Sequence, residues 1–159
     1  MPIGERLKQE RVVYRLLDQL ERDPDHVALA QALTLDAAKP LMGLRGRHGL
    51  FGSSEWWKSI EAGRIVTTRT TGVISRLWFA GQDSRQAPNT VDFIDDDGVL
   101  HSRGIYLTER SGRPLYALGR RIQYVEAHDE LKAQPAADGS TDYARITIEV
   151  AISGKIEID

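Results

Sequence analysis

The sequence predicts an α+β fold: an N-terminal helical hairpin packed on a small antiparallel β-barrel or strongly curved sheet of about six to seven strands. Three observations carry this expectation. Before about residue 41 the apolar residues recur at three- and four-residue intervals. From residue 64 onward, short runs rich in Val, Ile, Thr, Tyr and Trp alternate with Gly, Asp, Asn and Pro. Between the two regimes lies a stretch in which glycine falls at every third position. One domain over residues 1–159 is expected, with 1–41 as the hairpin, 42–63 as a Gly-rich loop and short helix, and 64–159 as the barrel-like sheet. A chain of 159 residues buries roughly two thirds of its unfolded surface, so neither disulfides nor metal are needed for it to fold.

The first helix is read from Gly4 to Arg22, because Leu7, Val13, Tyr14, Leu16, Leu17 and Leu20 follow helical spacing and Asp18 pairs with Arg22 at i,i+4. Asp23 is an N-cap with Pro24 in the first helical position, opening a second helix through Val27, Leu29, Ala30 and Leu33 that stops before Pro40. A two-helix unit has no core of its own, so this apolar stripe is expected to pack against the rest of the domain. Ser53-Ser54-Glu55-Trp56-Trp57 then caps a short helix ending at Gly63.

Strands are expected at Arg64–Thr70, Val73–Ala80, Thr90–Ile94, Val99–Leu107, Leu115–Leu118 and Ile122–Ala127. Asp95-Asp96-Asp97-Gly98 is a hairpin turn with glycine in the left-handed position, and Ser111-Gly112-Arg113-Pro114 is a second turn. Residues 132–142 are small, polar and turn-forming, and are expected to be a mobile loop. The last strand runs from about Tyr143 to Ile158. Its even-numbered Ile146, Ile148, Val150, Ile152, Ile156 and Ile158 should face the core, and Thr147, Glu149 and Lys155 should face water. At a sheet edge this strand would offer its backbone to a second copy, giving a homodimer.

The chain contains no cysteine, which excludes thiolate nucleophiles, Cys-ligated zinc and iron–sulfur clusters. The N-terminal residues have no signal-peptide apolar core and no run reaches the ~18 apolar residues of a membrane span, so a cytoplasmic protein without membrane contact is expected. The charge of −2, from 21 basic and 23 acidic residues, gives no global pull on nucleic acid. It is unevenly spread: residues 45–121 hold 12 basic and 8 acidic side chains, residues 122–159 hold 3 and 8.

Chemistry could sit at the glycine-spaced loop, where Arg45, Arg47 and His48 stand among Gly43, Gly46, Gly49 and Gly52, just before a helix N-terminus at Ser53. Such a loop suits a phosphate or carboxylate, although it lacks the Lys-Ser/Thr of a P-loop and follows a helical stretch instead of a strand. Trp56 and Trp57 diverge by about 100° on a helix, so one can be buried while its neighbour reaches a rim. Strand alternation separates Trp78 from Phe79 in the same way. The run Asp95–Asp97 lacks the first calcium ligand, its place being taken by Phe93, and the histidines have no metal-ligand spacing. No metal, cofactor or catalytic residue is therefore assigned. These features favour a non-catalytic module that binds a protein partner, with Arg45, Arg47, His48, Trp56, Trp57 and Trp78 as candidate contact residues. Two alternatives stand beside it. One is single-stranded nucleic-acid binding by Arg69, Arg76, Arg103, Arg120 and Arg121. The other is a small enzyme holding a phosphorylated or carboxylated ligand at the Gly-rich loop.

Overall fold

The computed structural model describes residues 10–81 and 87–156, with side chains through Gly154; Leu7, Ile158 and the side chains of Lys155 and Ile156 lie outside that description. In chain order it contains β1 (Glu10–Arg15), α1 (Leu16–Arg22), α2 (Pro24–Leu35), α3 (Ser54–Glu61), β2 (Val66–Trp78), β3 (Thr90–Asp95), β4 (Leu100–Gly104), a 3-10 helix (Arg110–Leu115), β5 (Arg120–Glu130) and β6 (Tyr143–Ile156). The strands form one six-stranded antiparallel sheet in the order β1-β6-β5-β2-β3-β4. The α+β class with N-terminal helices is as expected, but the sheet is open and no barrel closes.

The chain falls into two compact units. One holds the described residues up to Arg15, those of Arg69–Tyr124 and those from Glu149 onward; the other holds Leu16–Thr68 and Val125–Ile148.

In the first unit, the expected Gly4–Arg22 helix is corrected. Glu10–Arg15 is a strand, and only Leu16–Arg22 is helical. The local period loses to tertiary pairing: Val12, Val13 and Tyr14 favour extended backbone, and β1 lies against β6 with Glu10 opposite Ser153 and Arg15 opposite Glu149. This pairing also corrects the expected dimer. Strand β6 has neighbours on both sides, so its backbone is not available to a second copy. The outer side of β1 is met by the coil after β4, where the Thr108 N–H donates to Val13 O at 2.8 Å and Thr108 Oγ1 accepts from Arg15 N at 3.0 Å. Coil after β4 thus meets β1 without pairing as a strand. Val91, Phe93, Ile122, Tyr124, Val150 and Ile152 are completely buried, and the Phe93 and Tyr124 rings stack at 5.5 Å. Burial raises the Tyr14 hydroxyl to a pKa of about 12, with Tyr106 adding to the shift.

The two strands expected at Arg64–Thr70 and Val73–Ala80 are one continuous β2, bulged between Ile74 and Arg76. Gly72 keeps it continuous, since a Cβ there would stand 2.5 Å from Ile94 O. The Asp95–Gly98 hairpin forms as read, with Asp95 Oδ1 accepting from Asp97 N and Val99 N at 2.9 Å each. A hydrogen bond from His101 holds the Asp95 carboxyl below its ordinary range. No strand occurs at Leu115–Leu118; the preceding turn continues as 3-10 helix to Leu115. In β6, Val150 and Ile152 are buried as expected, but so are Ala151 and Ser153, so both strand faces are covered there.

In the second unit the two helix starts follow their sequence signals. Asp23 Oδ1 accepts from His26 N at 3.3 Å, and Ser53 Oγ from Trp56 N at 3.2 Å. The core gathers Leu16, Leu20, Phe51, Trp56 and Ile65. Leu17, expected to be buried, is half exposed. Ile146 and Ile148 are half-buried and Thr147 is buried, the reverse of the expected alternation at this end of β6. The loop expected to be mobile is tied across its base: Gln134 Nε2 donates to Leu131 O and Asp142 O, and its Oε1 accepts from Asp142 N, all at 2.8 Å.

Candidate functional site

The glycine-spaced loop lies along α2 and α3, and its glycines are explained by packing. Gly43, Gly46, Gly49 and Gly52 all have positive φ, between 76° and 112°. A Cβ on Gly46 would stand 2.8 Å from Thr34 Cγ2, and one on Gly49 2.7 Å from the Trp56 backbone nitrogen. The donors an anion would need are already used in part. The N–H groups of Arg45, Gly49 and Ser53 donate to the carbonyls of Glu130, Gly46 and Leu50, and the α3 N-terminus is capped by Ser53. Packing thus accounts for these glycines, and part of the loop's donor capacity is already engaged.

The charged residues of the loop do come together. Glu130, at the end of β5, accepts from Arg45 Nε at 3.0 Å through one oxygen and from Arg47 Nη1 at 3.3 Å through the other. Arg45 Nη2 also donates to Lys132 O at 3.3 Å. His48 is half-buried, with its carbonyl accepting from Ser59 Oγ at 2.8 Å.

The tryptophans separate by environment. Trp56 is wholly buried and cannot touch a partner; it packs edge-on against Phe51 and Trp57, and its indole N–H donates to Asp129 Oδ2 at 2.9 Å. Asp129 is itself buried, its other oxygen has no hydrogen-bond partner, and desolvation raises its carboxyl above the ordinary range against the lowering effect of the Trp56 bond. Trp57 keeps a partly exposed ring. In the first unit Trp78 is half-buried and donates to Asp92 Oδ1 at 2.9 Å, with the Arg76 guanidinium over its ring at 4.9 Å. Of the arginines proposed for nucleic acid, Arg121 is answered by Asp96 at 3.3 Å. Arg120 has two guanidinium nitrogens shut away from solvent.

The feature that sequence reasoning missed is the exposure of the apolar face of α2. Its residues Val27–Leu35 carry no charge, yet none of the helix's residues is buried. Gln31 and Thr34 are turned to Phe51 O and Ala30 O, and Val27 lies along Gly52. Ala28, Leu29, Ala32 and Leu35 are left on an outer face. Leu29 and Leu35 are 72% and 69% exposed, and beyond the helix Leu41 and Met42 continue at 68% and 54%. Lys132 ties this ridge to the arginines. Its ammonium donates to the carbonyls of Leu33, Asp36 and Lys39 at 2.6, 3.4 and 3.0 Å, satisfying the α2 C-terminus. An apolar ridge thus runs beside a polar groove of about 390 Å³ lined by Arg45, Arg47, Glu130 and part of the 134–141 loop. Exposed apolar side chains with arginine at their margin have the composition of a protein-binding surface.

Among the described residues no helix is long and apolar enough to cross a membrane, and no cluster of His, Asp or Glu could hold a metal ion. A family model described as immunity protein RhsI2 matches residues 10–153. No curated protein matches the chain.

Proposed function

The chain belongs to the RhsI2 immunity-protein family, which acts by binding and neutralising a cognate Rhs toxin, and we propose that it grips the toxin through the α2 ridge and the Arg45–Arg47 margin. The single observation that carries this reading is a helix with a nine-residue uncharged stretch, Val27–Leu35, and no buried residue. Such a helix has no reason to remain uncharged on its own account. Covering one exposed leucine contributes about 1.5–3 kcal/mol, so Leu29, Leu35 and Leu41 together can offset much of the several kcal/mol that association costs in lost freedom. Arg45 and Arg47 then supply orientation at the rim, and Trp57 lies on the same unit as an aromatic contact. Neutralisation follows by occupancy: a toxin held on this surface is blocked without any reaction by the immunity protein, in keeping with a typically non-catalytic family.

The test is co-expression of the toxin domain with wild type, Leu29→Asp or Leu35→Asp, scored by bacterial growth and by co-purification. Because both side chains are exposed, the variants should melt within a degree or two of wild type. They should lose co-purification and protection. Full protection by both, at normal abundance, would move the toxin surface elsewhere.

A further inference from the structure

We infer that the groove beside the α2 ridge is a receptor for a carboxylate, filled by an acidic side chain of the toxin. The inference rests on the toxin-binding reading and adds the chemistry that the partner must present.

Two guanidiniums share a single carboxylate at the groove. Glu130 spends one oxygen on Arg45 and the other on Arg47, so one negative charge serves two positive charges. The other acids of the adjoining loop are engaged within it. Asp138 Oδ1 accepts from the backbone and hydroxyl of Ser140, and Asp142 Oδ1 accepts from Tyr143 N. Both keep their charge, but neither forms an ion pair with Arg45 or Arg47, whose one direct carboxylate partner among the described residues is Glu130.

Position is the second part. The Glu130 side chain is 12% exposed, whereas those of Arg45 and Arg47 are 47% and 64% exposed. The clamp therefore lies beneath and the donors lie at the surface. Each guanidinium carries five N–H donors in a planar fork, more than one shared carboxylate can take. A carboxylate entering the groove meets two guanidiniums already held, so little further ordering opposes its binding.

Shape is the third part. The opposite wall is formed by Gln134, Pro135 and Gly139 to Thr141. Gln134 holds the base of that wall through three 2.8 Å hydrogen bonds. The groove is thus built before the partner arrives, and it adjoins the apolar ridge through Lys132. Its occupant is an acidic residue flanked in space by apolar ones that cover Leu35 and Leu41.

The experiment measures binding of the cognate toxin domain by calorimetry at 50 and 500 mM NaCl. Wild type is compared with the double variant Arg45→Gln/Arg47→Gln and with Leu35→Asp. A charge-assisted pair of this kind is worth about 10- to 100-fold in affinity, so the double variant should be weaker by that factor at 50 mM. Wild type should weaken about 10-fold on raising the salt, through screening of the pair, while the double variant should barely change. A double variant equal to wild type at both salts overturns the carboxylate receptor; if Leu35→Asp still abolishes binding, the toxin-binding reading survives that result. Wild type that binds no toxin domain at either salt overturns both.

Discussion

The sharpest structural prediction concerns Gly49, where two accounts of the glycine-spaced loop diverge. If the glycines existed to expose N–H groups to an anion, Gly49→Ala would affect a ligand more than the fold. The structure says the opposite. Gly49 has φ +112°, and a Cβ there would meet Trp56 N at 2.7 Å and Glu55 C at 3.1 Å. Positive φ costs a non-glycine residue about 1–2 kcal/mol. Overlap with backbone that cannot swing away adds about 1–3 kcal/mol, as in overpacked cores. The obstructing backbone belongs to Trp56, which is wholly buried and hydrogen-bonded to Asp129, so any shift also disturbs the centre of that unit. The expected loss is therefore about 2–5 kcal/mol. Gly63 is the control, with φ +78° and nothing within 4 Å of a Cβ; Gly63→Ala should cost only the backbone share, about 1–2 kcal/mol. Urea unfolding followed by tryptophan fluorescence reads the difference. With a slope of about 2 kcal/mol per M, the Gly49→Ala midpoint should fall roughly 0.5–1.5 M below that of Gly63→Ala. Coincident midpoints would refute the close-packing account and return the loop to ligand binding.

Four further outcomes follow from the same structure. Asp129→Asn keeps an oxygen for the Trp56 indole while removing a carboxyl whose folded pKa is raised by desolvation. Wild type should therefore lose stability as pH rises from the unfolded aspartate pKa, about 3.9, through the raised folded value, and the variant's pH profile should be flatter over that window, as acid-to-neutral melting curves would show. Ile152→Ala, at a fully buried position of β6, should cost about 2–5 kcal/mol in denaturant unfolding. Glu149→Ala, which removes a mostly buried carboxylate 3.5 Å from a half-exposed Arg15, should cost about 1–3 kcal/mol. Because β6 is internal, wild-type protein should form no dimer through that strand in sedimentation at high concentration; a dimer whose formation adds hydrogen-exchange protection to the β6 amides would contradict the strand order.

What could be read from the sequence was whatever is decided within four or five residues. The caps at Asp23 and Ser53 and the Asp95–Gly98 hairpin are local hydrogen-bond chemistry, and they form as read. What could not be read was decided far along the chain. Val12, Val13 and Tyr14 satisfy a helical period and a strand equally well, and only residues near 150 choose between them. The glycine spacing was visible, but an N–H cradle and a tight approach to Thr34 and Trp56 call for the same residue. Arg45 and Arg47 were found from local charge, whereas their clamp, Glu130, lies more than eighty residues away. The α2 ridge shows the limit most clearly. Periodicity assigns an apolar helix face to the core by default, and nothing in Val27–Leu35 distinguishes a face awaiting its own domain from one awaiting another protein. Within the second unit that choice is made by the loop carrying Gly43, Gly46 and Gly52, which packs against Leu33, Thr34 and Val27 and leaves Leu29 and Leu35 outward. The same glycines that were read as a ligand site thus act at one remove, by fixing which side of α2 stays exposed, the face proposed for the toxin.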